Sequence, residues 1–144
     1  RQEAEKYGTV HIAADTSTCG HTRIPQQSEL RLTDGASYFY YCANNTIYGT
    51  EWQYVPETGG VPLACDMSSD ILSRPVDVSK YGVIFAGAQK NMAPAGVTVV
   101  IVREKLADIA ERSGAEQRVH HGVGQYVSVR MAEQALFVGD RHTA

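Results

Sequence analysis

Apolar residues gather in short runs along the chain, and each run closes on a turn of small or polar residues. Ser37 to Cys42 is aromatic and strand-like, and it leads into the polar stretch Ala43-Asn44-Asn45-Thr46. Val61 to Cys65 ends at Asp66, followed by Met67, Ser68 and Ser69. Tyr81 to Ala86 opens into Gly87-Ala88-Gln89-Lys90-Asn91, and Val97 to Val102 follows. Their length and their β-branched and aromatic content predict strands. Asp70 to Lys80 contains Ser73-Arg74-Pro75-Val76-Asp77, room for a turn and a short crossover, so the second and third strands can run parallel. Arg1 to Lys6 is charged and helix-like and meets a stop at Gly8. Gln125 to Val138 carries scattered apolar residues, which predict an amphipathic helix of poor period.

This pattern predicts an α/β fold. In open α/β sheets ligands sit beyond the carboxyl ends of the strands, and here three strand ends present Thr46, Asp66 and Lys90. An amine set beside apolar walls and small residues is a candidate covalent anchor, because losing its charge lets it attack an aldehyde. A strand-end lysine that simply extends its ammonium into water is the competing reading. Asp66 and the hydroxyls near it bear on that choice. Pyridoxal phosphate requires a lysine for its aldehyde, a carboxylate to keep its ring nitrogen protonated, and hydroxyls for its ring oxygen or phosphate. Asp66 suits the carboxylate, and Ser68 and Thr46 supply hydroxyls. Taken singly, each of these residues also makes an ordinary turn former or helix cap.

Longer stretches carry a resemblance. Cys42 to Glu51 (Cys-Ala-Asn-Asn-Thr-Ile-Tyr-Gly-Thr-Glu), Asp66 to Asn91, Pro94 to Glu104 and Lys6 to Val10 resemble the phosphoserine aminotransferases, class V, fold type I pyridoxal-phosphate enzymes. The resemblance implies that residues 1–114 are part of a cofactor-binding large domain, with a mostly parallel sheet flanked by helices, and that residues 115–144 are a divergent tail. It implies that Lys90 forms the Schiff base, that Asp66 pairs with the pyridine nitrogen and that Thr46 meets the hydroxyl side of the ring. Ser68 and Gln89 match further cofactor contacts, Gln89 with its amide near the phosphate. The implied reaction moves an amino group from glutamate to 3-phosphohydroxypyruvate, giving O-phosphoserine and 2-oxoglutarate in serine biosynthesis, in a cytoplasmic homodimer.

Against the family's pattern the chain reads as truncated at both ends. The family's upstream aromatic and phosphate turn and its Asn-Thr-Pro-Pro-Thr loop have no match here, so weak activity is expected of this chain by itself. Trp52, the single tryptophan, reads as packing rather than as the missing ring partner. A non-catalytic module that binds cofactor or pairs with a subunit remains an alternative. Another Schiff-base lysine enzyme, with no need of Asp66, is a second.

Composition narrows the remaining classes. The 144 residues carry 13 basic and 16 acidic side chains, a formal charge of -3, which offers no basic field for nucleic acid. Val97 to Val102 is too short to span a bilayer, so no membrane role is expected. The three cysteines, Cys19, Cys42 and Cys65, are widely spaced and odd in number, which argues for free thiols over a disulfide framework or a zinc site. His120-His121 and Cys19-Gly20-His21 read as turns rather than metal ligands. Arg74 reads as a surface ion pair.

Overall fold

A computed structural model describes residue 2, residues 4–106 and, for the backbone alone, residues 126–130. Seven strands form in chain order: β1 (Phe39–Cys42), β2 (Asn44–Asn45), β3 (Thr50–Glu51), β4 (Leu63–Asp66), β5 (Val83–Gly87), β6 (Thr98–Val102) and β7 (Tyr126–Arg130). Five of them make one sheet in the order β1-β4-β5-β6-β7, and β2 pairs with β3 in a separate hairpin.

The three strands whose ends carry the candidate residues run parallel. β1 pairs with β4, and β4 with β5, in a register that sets Cys42 level with Asp66 and Asp66 level with Phe85. β6 returns antiparallel beside β5, because residues 88–97 are too few for a crossover. The sheet is therefore mixed, with its parallel part around the candidate site. Among the described residues its surroundings are loops, the one-turn 3-10 elements Ala4–Lys6, Ser17–Cys19, Gln27–Glu29 and Val78–Lys80, and the start of a helix at 104–106. The charged run at the amino end contributes the first of these turns, with Gly8 N–H bonded back to the Ala4 carbonyl at 3.2 Å.

Alternation along the strands decides where the core sits. Tyr41, Cys65 and Ile84 align across β1, β4 and β5 on one face, joined by Leu63 and Ala86 and covered by Trp52, Met67, Ile71 and Tyr81. Tyr41 and Tyr81 satisfy each other's hydroxyls at 3.1 Å inside this core. The opposite face presents Tyr40, Ala64, Asp66, Val83 and Phe85 and is more open. There Tyr40 stacks on Phe85 with ring centroids 6.3 Å apart.

The helix expected over residues 125–138 is corrected in part. Tyr126–Arg130 is a strand, paired antiparallel with β6 from Thr98↔Arg130 to Val102↔Tyr126. The local sequence Tyr-Val-Ser-Val-Arg has a period of two, which suits a ladder, and the edge of β6 offers unpaired backbone groups to complete one. Residues 131–138 lie outside the described residues, as do His120 and His121.

Candidate functional site

Asp66 is the last residue of β4, and its backbone extends the ladders on both sides. Its carbonyl accepts Ala43 N–H at 2.9 Å, and the next residue, Met67, donates to the Phe85 carbonyl at 2.8 Å. The chain then turns, so that the side chain is gripped from one side. Asp66 Oδ1 accepts the Ser68 N–H at 2.9 Å and the Ser68 hydroxyl at 2.6 Å. The Ser68 Oγ in turn accepts Gly87 N–H at 2.9 Å, linking the end of β4 to the end of β5. Among the described residues no donor reaches Asp66 Oδ2. The carboxylate thus has one oxygen saturated by its own turn and one open.

The negative charge at this point is felt by its neighbours. Burial first, and then the charge of Asp66, pushes the Tyr40 phenol up from its ordinary value, and the same two causes raise the Cys42 thiol. Both residues lie on the open face of β1 beside Asp66.

Lys90 belongs to the connection between β5 and β6. Ala88 N–H donates to the Val97 carbonyl at 3.0 Å, and the Ala88 carbonyl accepts Met92 N–H at 3.0 Å and Ala93 N–H at 2.9 Å, which curls the loop. Lys90 and Gln89 are exposed on it. The Gln89 amide folds back over Gly87, where a Cβ would lie 2.9 Å from its Oε1. A side chain at residue 87 would displace it, which explains a glycine at the last position of this strand.

Thr46 lies in the hairpin turn between β2 and β3 and is exposed. Asn45 shapes the turn: its Oδ1 accepts Ile47 N–H at 3.1 Å and Tyr48 N–H at 3.3 Å, and Gly49 takes a φ of 65° that favours glycine. The hairpin is fastened to the loop after Asp66. Ser69 Oγ donates to the Asn44 carbonyl at 3.0 Å, and Arg74 Nη2 donates to the Trp52 carbonyl at 2.6 Å.

The sequence-predicted residues therefore gather to different degrees. Asp66 and Ser68 are bonded directly, Gln89 lies over Gly87, whose N–H bonds Ser68, and Thr46 sits on a hairpin held through Asn44 and Ser69. Among the described residues no hydrogen bond joins the Lys90 amine or the Thr46 hydroxyl to Asp66. Sequence reasoning missed Asn44 and Asn91, whose amides serve this scaffold. Asn91 Nδ2 donates to the Ile71 carbonyl at 2.7 Å. The available signal was position, since Asn44 lies two residues and Asn91 four residues beyond the end of a strand that points at the site. Arg74 is more than a surface pair, because it also faces Asp70 at 3.4 Å and that aspartate is only 3% exposed. Trp52 packs on Tyr41 and Tyr54 at 5.0 and 5.2 Å, in the packing role expected of it.

Among the described residues there is no group of three or more His, Cys, Asp or Glu able to hold a metal, and no helix long and apolar enough to cross a membrane. A cleft of about 590 Å³ lies among Ile12, Asp15, Pro25, Ser28, Glu29 and Arg31, and it includes none of the five candidate residues.

Comparison with known proteins bears on this arrangement. The chain is 57% identical over 108 residues to the phosphoserine aminotransferase of Herpetosiphon aurantiacus, covering 75% of this chain and 30% of that protein. It is 56% identical over 105 residues to the Pseudomonas aeruginosa phosphoserine aminotransferase, covering 73% and 29%. Among solved structures, the phosphoserine aminotransferase of Bacillus circulans subsp. alkalophilus superposes with a TM-score of 0.72 at 48% identity, covering 74% of this chain and 30% of that one. The pyridoxal-phosphate-bound phosphoserine aminotransferase of Trichomonas vaginalis gives 0.63 at 42% identity, covering 69% and 28%. The chain spans about 30% of the length of the curated relatives it matches. The aminotransferase class-V profile matches residues 1–133, and the chain belongs to that family.

Proposed function

We propose that this chain forms the cofactor-binding part of a phosphoserine aminotransferase, working with pyridoxal phosphate to move an amino group between glutamate and 3-phosphohydroxypyruvate. The observation that carries this reading is the state of Asp66. A carboxylate at the end of parallel strands, with Oδ1 saturated by Ser68 and Oδ2 open, suits a single cationic N–H donor, and Lys90 lies beyond the end of the next strand. Similarity to the phosphoserine aminotransferases supplies the substrate class.

The residues present fit the cofactor. Asp66 Oδ2 would accept a charge-assisted hydrogen bond from the protonated ring nitrogen, a type worth about 1.5 to 3 kcal/mol. Ser68, through its two bonds to Oδ1, fixes the orientation of the carboxylate. Thr46 supplies a hydroxyl for the ring's oxygen side and Gln89 an amide for the phosphate. Lys90 Nζ would hold the cofactor's aldehyde and, as a free amine, would move the proton at the substrate's α-carbon. Pyridoxal phosphate, when bound, supplies the aldehyde and the electron-withdrawing ring. By the same resemblance the working enzyme is a cytoplasmic homodimer, and the described cysteines Cys19, Cys42 and Cys65, all free, accord with a reducing compartment.

The test is chemical labelling. Pyridoxal phosphate added to the 144-residue chain and fixed with borohydride should label Lys90, and glutamate added to a separate, unreduced sample should yield 2-oxoglutarate in the wild type and none in Lys90→Ala. Label spread over Lys6, Lys80 and Lys105 would overturn the assignment.

A further inference from the structure

The backbone bonds around Ala88 give the Lys90 loop its shape, and its base is held by Gly87 N–H on Ser68 Oγ and by Met92 packed on the core cluster that includes Met67 and Ile71. Among the described residues, Asn91 is the only side chain of residues 88–97 whose hydrogen bond reaches residues 67–73, through Nδ2 to the Ile71 carbonyl at 2.7 Å. The acceptor is an orphan of that turn. Ile71 N–H bonds to the Met67 carbonyl at 2.8 Å and Ser73 N–H to the Asp70 carbonyl at 3.0 Å, yet no backbone N–H among the described residues reaches the Ile71 oxygen. The following residue, Leu72, is left-handed with φ 65° although it is bulky and 74% exposed. Such a backbone persists where its surroundings hold it, and the peptide between Ile71 and Leu72 is the one that Asn91 grips.

We infer that Asn91 is a positioning residue, which locks the Lys90 loop onto the Asp66–Ser68 turn and so fixes the lysine amine relative to the carboxylate. This rests on the function proposed above. Misplacing a reacting group by about 1 Å can cost on the order of a hundredfold in rate, so a side-chain tether next to the lysine, beyond the Gly87–Ser68 bond at the loop's base, has leverage on the chemistry. Asn91 is exposed, and its replacement opens no cavity in the core.

The experiment uses the 144-residue chain with pyridoxal phosphate as probe and follows the rate of borohydride-fixed labelling at Lys90 across pH. Asn91→Asp keeps the shape but turns an acceptor toward the Ile71 carbonyl, and Asn91→Ala removes the group. Both should slow labelling about tenfold or more and shift the pH of half-maximal labelling, with little change in the unfolding midpoint of the cofactor-free chain. Asn91→Gln, which retains the amide, should recover part of the rate. Leu72→Gly keeps both partners and should label like the wild type. Wild-type rates and pH profile in both Asn91→Asp and Asn91→Ala would overturn the inference alone, as would loss of folding in both. Absence of any Lys90 label in the wild type would bring down the functional reading, and this inference with it.

Discussion

At the scale of single residues, two glycines in one strand region separate room needed for folding from room needed for binding. A Cβ on Gly82 would meet Leu106 Cδ1 at 2.9 Å, Pro62 Cβ at 3.0 Å and the Leu63 carbonyl at 3.3 Å, a pocket with a backbone wall. Gly82→Ala should therefore destabilise by about 1 to 3 kcal/mol, as overpacking does. The three atoms nearest a Cβ on Gly87 all belong to the tip of Gln89, which can swing aside. Gly87→Ala should cost less than about 1 kcal/mol in urea unfolding but loosen pyridoxal phosphate, because Gln89 is displaced and the strand end is filled. Equal losses of stability in the two variants would contradict this. Cys65 gives a third case. It is fully buried, and burial pushes its thiol up from 9.0 to about 12. At pH 8 roughly one part in ten thousand is thiolate, so iodoacetamide should spare Cys65 until the chain unfolds. The folded state favours the neutral thiol, so this group leaves stability untouched below pH 9.0 and lowers it as pH climbs from there towards about 12. Equilibrium unfolding across that window, compared with Cys65→Ala, isolates the contribution.

Among elements, the β2–β3 hairpin is held at its carboxyl end by one cation, beside the Ser69 bond to Asn44. Arg74 Nη2 donates to the Trp52 carbonyl at 2.6 Å and lies 3.4 Å from both Glu51 and the buried Asp70. Arg74 is about a third exposed, so solvent screens part of the pairing, and Arg74→Ala should cost about 1 to 3 kcal/mol. Trp52, the single tryptophan, reports on it directly: its emission should shift red at lower urea in the variant, and Thr46 should lose its fixed turn. An unchanged transition would show that Asp70 and the Trp52 carbonyl find other partners. How far these elements can be read from sequence depends on what holds them. β1, β5 and β6 are rich in β-branched or aromatic residues and β4 is a short apolar run that stops at Asp66, and the structure places all four within two residues of the runs that predict them. The hairpin is two pairs of polar residues held by backbone bonds, so no apolar periodicity marks it, and 43–46 reads only as a turn. Residues 125–138 mislead for a related reason: scattered apolar positions fit a poor helix, whereas the local period of two at Tyr126–Arg130 completes the edge of β6. Asp66 and Lys90 are readable because a strand end is defined by where an apolar run stops. The tether from Asn91 is not, since it depends on a carbonyl left free by a left-handed Leu72.

Over the whole molecule, the three supports of the candidate site rest on parts of unequal stability. Asp66 continues a strand whose neighbour Cys65 is fully buried beside Ile84 and Ala86, each 2% exposed or less. Thr46 and Lys90 sit on exposed turns attached by a few hydrogen bonds each. Opening of the turns should therefore occur far more often than opening of the centre of the sheet, since local stability follows burial and contact density. Hydrogen exchange on the cofactor-free chain should show slow amides in β4 and β5, and fast ones over residues 45–49 and 88–93. Pyridoxal phosphate bound across all three supports would change the two classes differently. Ligand at about a hundred times its dissociation constant stabilises the binding conformation by about 2.7 kcal/mol, and amides that exchange by opening the site gain all of it. Protection should rise by about a hundredfold at 45–49 and 88–93 together, with far smaller change for β1 amides away from the site that exchange through fraying of the sheet edge. Protection rising at 88–93 alone would mean that Thr46 takes no part in holding the cofactor, and its place in the site would be lost.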